Sequence, residues 1–135
     1  MIVVERIAPD GTAHRISIGA HELVADMTPP DGDGPDPHDF YDSALGACKA
    51  LTVLWYAQRN NIPVDDIHVG VIRDGSAERA GTYRLTTRIA LGGDLTDAQR
   101  QKLLEVASKC PVHKLMTQVT TEIETVLVEP HQAEL

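Results

Sequence analysis

The chain has 135 residues, 42 % of them hydrophobic, and a formal net charge of −8. That is one domain's worth of sequence, with enough apolar material for a core built from Val, Ile, Leu and Ala, since only 4 % is aromatic. The negative charge excludes a nucleic-acid partner and an anionic membrane surface, whose phosphates would repel it.

The start, Met-Ile-Val-Val-Glu-Arg, lacks the basic region and long apolar run of a secretory signal. No stretch approaches the roughly 18 to 20 apolar residues that span a bilayer. A cytoplasmic location follows as the expectation, and there thiols stay reduced.

Ile2 to Ile7 reads as a β-branched strand, and Pro9-Asp10-Gly11-Thr12 as a turn. Ala13 to Gly19 and His21 to Asp26 continue as two strands of an antiparallel meander. The stretch from Thr28 to Pro37, rich in proline and acidic residues, is a loop, either a site rim or a solvated connector. A helix is expected from about His38 to Asn60, capped by Asp36 or Asp39 and stopped before Pro63. Its apolar stripe is read as Phe40, Ala44, Ala47, Leu51, Leu54 and Trp55, and small residues around Cys48 leave room for a close approach.

Strands at Ile67 to Arg73 and Tyr83 to Leu91 follow, the second alternating cleanly. Thr96 caps a helix whose buried side is read as Leu103, Leu104, Val106 and Ala107. Lys109-Cys110-Pro111 interrupts it, and a shorter helix starts at Pro111. Val119 to Val128 closes the chain as a strand, and Pro130 to Leu135 is a loose tail.

Two cysteines, Cys48 and Cys110, carry the chemical interest. Cys110 precedes a helix start, where the positive end of the helix and nearby Lys109, His113 and Lys114 favour a thiolate. Lys49, adjacent to Cys48, points to a different helix face and adds little. The bland alternative is a pair of buried apolar thiols. A metal site built from Cys110, His113, Cys48 and His38 has suitable spacing only for Cys110 and His113. No glycine-rich phosphate loop is present, and neither Ser43 nor Ser108 has the surroundings of a hydrolase nucleophile. Asp39 and Asp42, one turn apart, fit either an acid–base pair or helix capping.

Asp36-Pro37-His38-Asp39-Phe40-Tyr41 leading to Ala44-Leu45-Gly46-Ala47-Cys48-Lys49-Ala50-Leu51-Thr52, with Cys110-Pro111-Val112-His113-Lys114 later, resembles the OsmC/Ohr family of osmotically inducible and organic hydroperoxide resistance proteins. The match is closest to the OsmC-like branch. The resemblance implies an α+β fold with antiparallel sheets around a central cysteine-bearing helix, assembled as an intertwined homodimer. It also implies a thiol peroxidase that acts on organic hydroperoxides without metal, haem or flavin. Cys48 would be the peroxidatic residue and Cys110 the resolving one, with an external thiol or dithiol as reductant.

The family pattern places a glutamate ten positions before the first cysteine, orienting an arginine that holds the thiolate. Here that position is His38, followed by Asp39, and no arginine lies between Arg15 and Cys48. Arg15, His38 and Asp39 are therefore the candidate supporting residues. Without a nearby cation a cysteine in an apolar helix reacts slowly. A non-catalytic protein of the same fold, binding a hydrophobic small molecule in a dimer cleft, is the alternative.

Overall fold

A computed structural model of the chain describes residues 1–132. It is an α+β protein with five strands and three helices among the described residues: β1 (Ile2–Arg6), β2 (His14–Ile18), β3 (His21–Ala25), α1 (Pro37–Arg59), β4 (Asp66–Asp74), β5 (Arg84–Gly92), α2 (Asp97–Ser108) and α3 (Pro111–Thr117). These elements fall into two compact units, one formed by Met1–Phe40 with the segment from Thr121 onward, the other by Tyr41–Thr120.

In the first unit β1, β2 and β3 form the expected antiparallel meander, with Ile2 opposite Ile18 and His14 opposite both Arg6 and Ala25. Asp26, at the end of β3, accepts from the Thr12 hydroxyl at 2.6 Å and from the backbone N–H groups of Met27 and Asp33. Those donors hold its carboxyl below the ordinary range. The acidic loop ends in a reciprocal cap: Asp36 N–H donates to Asp39 Oδ2 and Asp39 N–H to Asp36 Oδ1, both at 2.9 Å. Pro37 then takes the first helical position, where its missing N–H costs nothing.

In the second unit β4 and β5 pair antiparallel from Asp66–Gly92 to Asp74–Arg84. Their shared face and α1 and α2 enclose the core. Val53 and Ala57 of α1 meet Leu103 and Ala107 of α2, with Ile67, Ile89 and Leu91 packed against them. Gly46 lets α1 approach β4, because a Cβ there would lie 2.9 Å from Val71 Cγ2. Thr96 caps α2 through a capping box with Gln99.

Three sequence expectations need correction here. The buried face of α1 is Asp42, Leu45, Gly46, Lys49, Val53 and Ala57. The stripe expected from apolarity is the outer one: Ala44, Ala47, Leu51 and Trp55 are exposed. The helix is apolar on two sides, and the side turned inward is the one that carries Gly46 and two charged residues. The expected strand at Val119–Val128 does not form, and the segment is irregular and exposed. A strand needs a neighbour for its N–H and C=O groups, and this segment pairs with none of the described strands. Of the expected loose tail, Pro130–Gln132 is a single 3₁₀ turn and the remainder lies outside the described residues. On α2, Leu103 and Ala107 are buried as expected, whereas Leu104 faces outward.

Candidate active site

The site lies within the second unit, where α1 passes the junction between α2 and α3. That junction is set locally: Lys109 ends α2, Cys110 adopts the extended conformation of an N-cap, and Pro111 opens α3. Cys110 Sγ accepts the N–H of His113 at 3.4 Å, and Cys48 Sγ accepts that of Val112 at 3.5 Å. Consecutive amides of one short helix thus contact the two sulfurs. Both cysteines are free. Cys48 is half-buried, with the Thr52 hydroxyl 3.9 Å from its sulfur, while Cys110 is fully buried.

The expectation of an acidified Cys110 is overturned. Burial pushes its thiol above the ordinary value, and this outweighs the His113 N–H and the positive charge of Lys49, both of which lower it. Cys48 lies near enough to add to the rise, through its thiol and through its charge when ionised. Local sequence shows the cap but not the loss of water, which depends on the packing of the whole unit.

Lys49 is the residue that the sequence reading passed over. It is 3 % exposed, and its ammonium donates to the Ala107 carbonyl at 2.8 Å and stands 3.0 Å from His113 Nδ1. Its position follows from helical spacing: seven residues after Asp42 and four before Val53, it belongs to the inward face. A buried charge requires such acceptors, because an unpaired ammonium in the interior would lose its proton or destabilise the fold.

A second buried polar group lies about two turns earlier on α1. Asp42 accepts from Arg73 Nε at 2.5 Å and from the Tyr83 hydroxyl at 2.7 Å. Burial, then the hydrogen bond to Asp42 and its negative charge, push the Tyr83 phenol up to about 12. Of the expected pair Asp39 and Asp42, the first caps the helix and the second anchors β4 and β5. Tyr83 also lines a pocket of about 360 Å³, together with Tyr41, Leu45, Leu85, His113, Met116 and Thr117. Tyr41 and Leu45 precede Cys48 by seven and three residues, so the pocket follows the helix face that bears the sulfur.

Arg15, in β2, has its guanidinium between Glu5 at 4.0 Å and Glu22 at 3.9 Å. His38 and Asp39 occupy the first turn of α1. Among the described residues no three His, Cys, Asp or Glu side chains are grouped to hold a metal ion, and no helix is long and apolar enough to cross a membrane.

Comparison with known proteins places this arrangement in a family. No functionally curated protein shows significant sequence similarity to the chain. Among solved structures, an OsmC-like protein from Mycoplasma pneumoniae superposes with a TM-score of 0.72 at 17 % identity, over 88 % of this chain and 87 % of that one. The organic hydroperoxide resistance protein OsmC from Legionella pneumophila gives 0.62 at 16 % identity, over 87 % and 90 %. The organic hydroperoxide resistance protein OhrB of Bacillus subtilis gives 0.56 at 21 % identity, over 87 % and 90 %. These likenesses establish the fold. Residues 30–125, which include α1, both cysteines and all of the pocket lining, match the family model described as OsmC-like protein, so the chain belongs to the OsmC-like family.

Proposed function

We propose that the protein is a dithiol peroxidase that reduces organic hydroperoxides in defence against oxidative stress. The observation that carries this reading is the meeting of two free cysteines from distant parts of the chain, one accessible and one buried, each with an N–H at its sulfur. The names of the hydroperoxide resistance proteins that share the fold support it.

In the proposed cycle the Cys48 thiolate attacks the outer peroxide oxygen. An S–O bond forms, the O–O bond breaks, and the alkoxide leaves with a proton as the alcohol. Cys48 is then a sulfenic acid. Cys110 attacks the sulfenic sulfur, water departs, and a disulfide results. An external thiol or dithiol restores both thiols by exchange. Cys110 need not be acidic in the resting protein, since its role begins only once Cys48 has been oxidised. The pocket that His113 lines, to which Leu45, Leu85 and Met116 contribute apolar surface, suits the organic part of the peroxide. Supporting roles for Arg15, His38 and Asp39 belong to the same proposal, and alanine replacement of each tests them.

The proposal includes a homodimer. The exposed stripe Ala44, Ala47, Leu51 and Trp55 is an apolar helix face without a cover in the single chain. The segment around Ile123, Val126 and Leu127 is apolar, exposed and unpaired.

One feature favours a second reading, a non-catalytic protein that binds a hydrophobic small molecule: burial raises the Cys110 thiol above its ordinary value, away from the thiolate that resolution uses. Thiol titration after one equivalent of cumene hydroperoxide separates the two. The peroxidase loses two thiols per chain, and Cys48→Ser loses none. Retention of both thiols in the wild type selects the binder.

A further inference from the structure

We propose that His113, held by the buried Lys49 and facing the pocket beside Cys48, is the proton donor to the alkoxide that leaves during peroxide cleavage. This inference rests on the peroxidase reading above and adds to it the acid that the chemistry needs. An alkoxide is a poor leaving group, and breaking the O–O bond is fast only if a proton arrives as the charge develops.

The geometry favours His113 over every other titratable group at the pocket. Lys49 Nζ stands 3.0 Å from Nδ1. An ammonium donating to Nδ1 leaves that nitrogen as acceptor and puts the ring proton on Nε2, on the side away from the lysine. His113 lines the pocket. Backbone geometry fixes the distance to the thiols, because His113 N–H binds Cys110 and the preceding N–H binds Cys48. The other groups that face this region are Cys48, Cys110, Tyr41 and Tyr83, with Arg73 and Asp42 behind Tyr83. Tyr83 spends its proton on Asp42, and the Cys110 thiol is needed for the next step. Tyr41 is half-exposed on the outer edge.

The balance closes without a further reagent. The Cys48 thiol releases its proton to solvent before attack. As the S–O bond forms and the electron pair of the O–O bond moves to the departing oxygen, Nε2–H gives that oxygen its proton. Lys49 passes a proton to Nδ1 as Nε2 gives its own up; Nε2 then takes a proton from water entering the pocket and Nδ1 returns its proton to Lys49, which restores both groups. Lys49 is thus a positioning residue that also replenishes the acid.

The test uses two oxidants that differ in what leaves. tert-Butyl hydroperoxide expels a strongly basic alkoxide, whereas peroxyacetic acid expels acetate, which needs no proton. Single-turnover thiol loss is followed in the full-length protein by quenched flow. His113→Asn and Lys49→Met are expected to slow the reaction with tert-butyl hydroperoxide by about 100-fold, the usual scale of acid catalysis. The same variants lose far less with peroxyacetic acid, so that the ratio of the two rates shifts by at least about 10-fold, and Lys49→Arg keeps that ratio near the wild-type one. Equal losses with both oxidants in His113→Asn, or no loss with either, overturn the proposal. So does Tyr41→Phe showing the selective loss in place of His113→Asn. If the wild type itself spares tert-butyl hydroperoxide, the peroxidase reading has failed, and the failure appears before any variant is made.

Discussion

Arg73 Nε donates to Asp42 Oδ2 at 2.5 Å, tying the first half of α1 to the end of β4. Asp42 is 7 % exposed, and its second oxygen takes the Tyr83 hydroxyl. One carboxylate therefore joins α1 to β4 and to the residue that leads into β5, at the edge of the pocket. Removing it takes away the one carboxylate to which both the guanidinium and the phenol donate. Because Arg73 retains partial access to water, Asp42→Ala is expected to cost about 2 to 4 kcal/mol, toward the lower part of the range for breaking a buried pair. Urea unfolding followed by circular dichroism measures this, and a loss below about 1 kcal/mol, the range of a surface pair, would refute the anchoring role.

The same triad makes a pH prediction. The folded-state pKa of Tyr83 is about 12, raised from 10.0. Between those values the unfolded chain has given up the phenolic proton while the folded chain still holds it. The contribution of Tyr83 is therefore complete below pH 10 and is lost as pH rises toward 12. Tyr83→Phe should show a shallower decline in stability over that interval than the wild type. Parallel declines in the two proteins would mean that Tyr83 titrates normally.

Gly46 offers a packing test. A methyl group there would sit 2.9 Å from Val71 Cγ2, a branched side chain with little freedom to turn aside. Overpacking costs about 1 to 3 kcal/mol, against a gain of about 1 kcal/mol in helix propensity for Gly→Ala. Gly46→Ala is expected to destabilise on balance. In a Val71→Ala background, where the obstacle is gone, the substitution should turn neutral or stabilising. A Gly46→Ala effect of the same size in both backgrounds would place its cause elsewhere.

Most elements were legible because their signals are local. The Thr96 cap, the Pro111 start and the alternation of Leu85, Thr87, Ile89 and Leu91 all work through residues a few positions apart. What was not legible depends on distant partners. The inward face of α1 carries Asp42 and Lys49, so apolarity pointed to the wrong stripe. Lys49 is tolerable inside only because Ala107 and His113 supply acceptors from two other helical segments. Asp42 likewise needs Arg73 and Tyr83, neither of which the sequence marks out. Val119–Val128 has the composition of a strand and pairs with none of the described strands.

The homodimer is tested through the outer stripe of α1. Leu51 is 67 % exposed and Trp55 55 % exposed, side by side on one helix face. Sedimentation equilibrium at low micromolar concentration should give twice the chain mass. Leu51→Glu, which places a charge on that face without touching the inward one, should give a folded monomer. A wild-type monomer would dismiss the proposal, and a dimeric Leu51→Glu would move the interface away from this stripe.

The order in which the two cysteines react follows from access set against ionisation. Cys110 combines complete burial with a thiol raised above its usual value, so both the approach of a reagent and the supply of thiolate are restricted. Cys48 is half-buried and lies on the helix face that runs beside the pocket. At neutral pH iodoacetamide should therefore label Cys48 first in the native protein, with Cys110 reacting only after unfolding. The same inequality governs the peroxide. Cys110→Ser given one equivalent of cumene hydroperoxide should lose its Cys48 thiol and be trapped by dimedone as a sulfenic acid, because no resolving sulfur remains. Cys48→Ser should consume no peroxide above background. Mass spectrometry of the labelled peptides reads out both experiments. Should Cys110 be labelled first, and Cys48→Ser stay active, the roles of the two sulfurs would have to be exchanged.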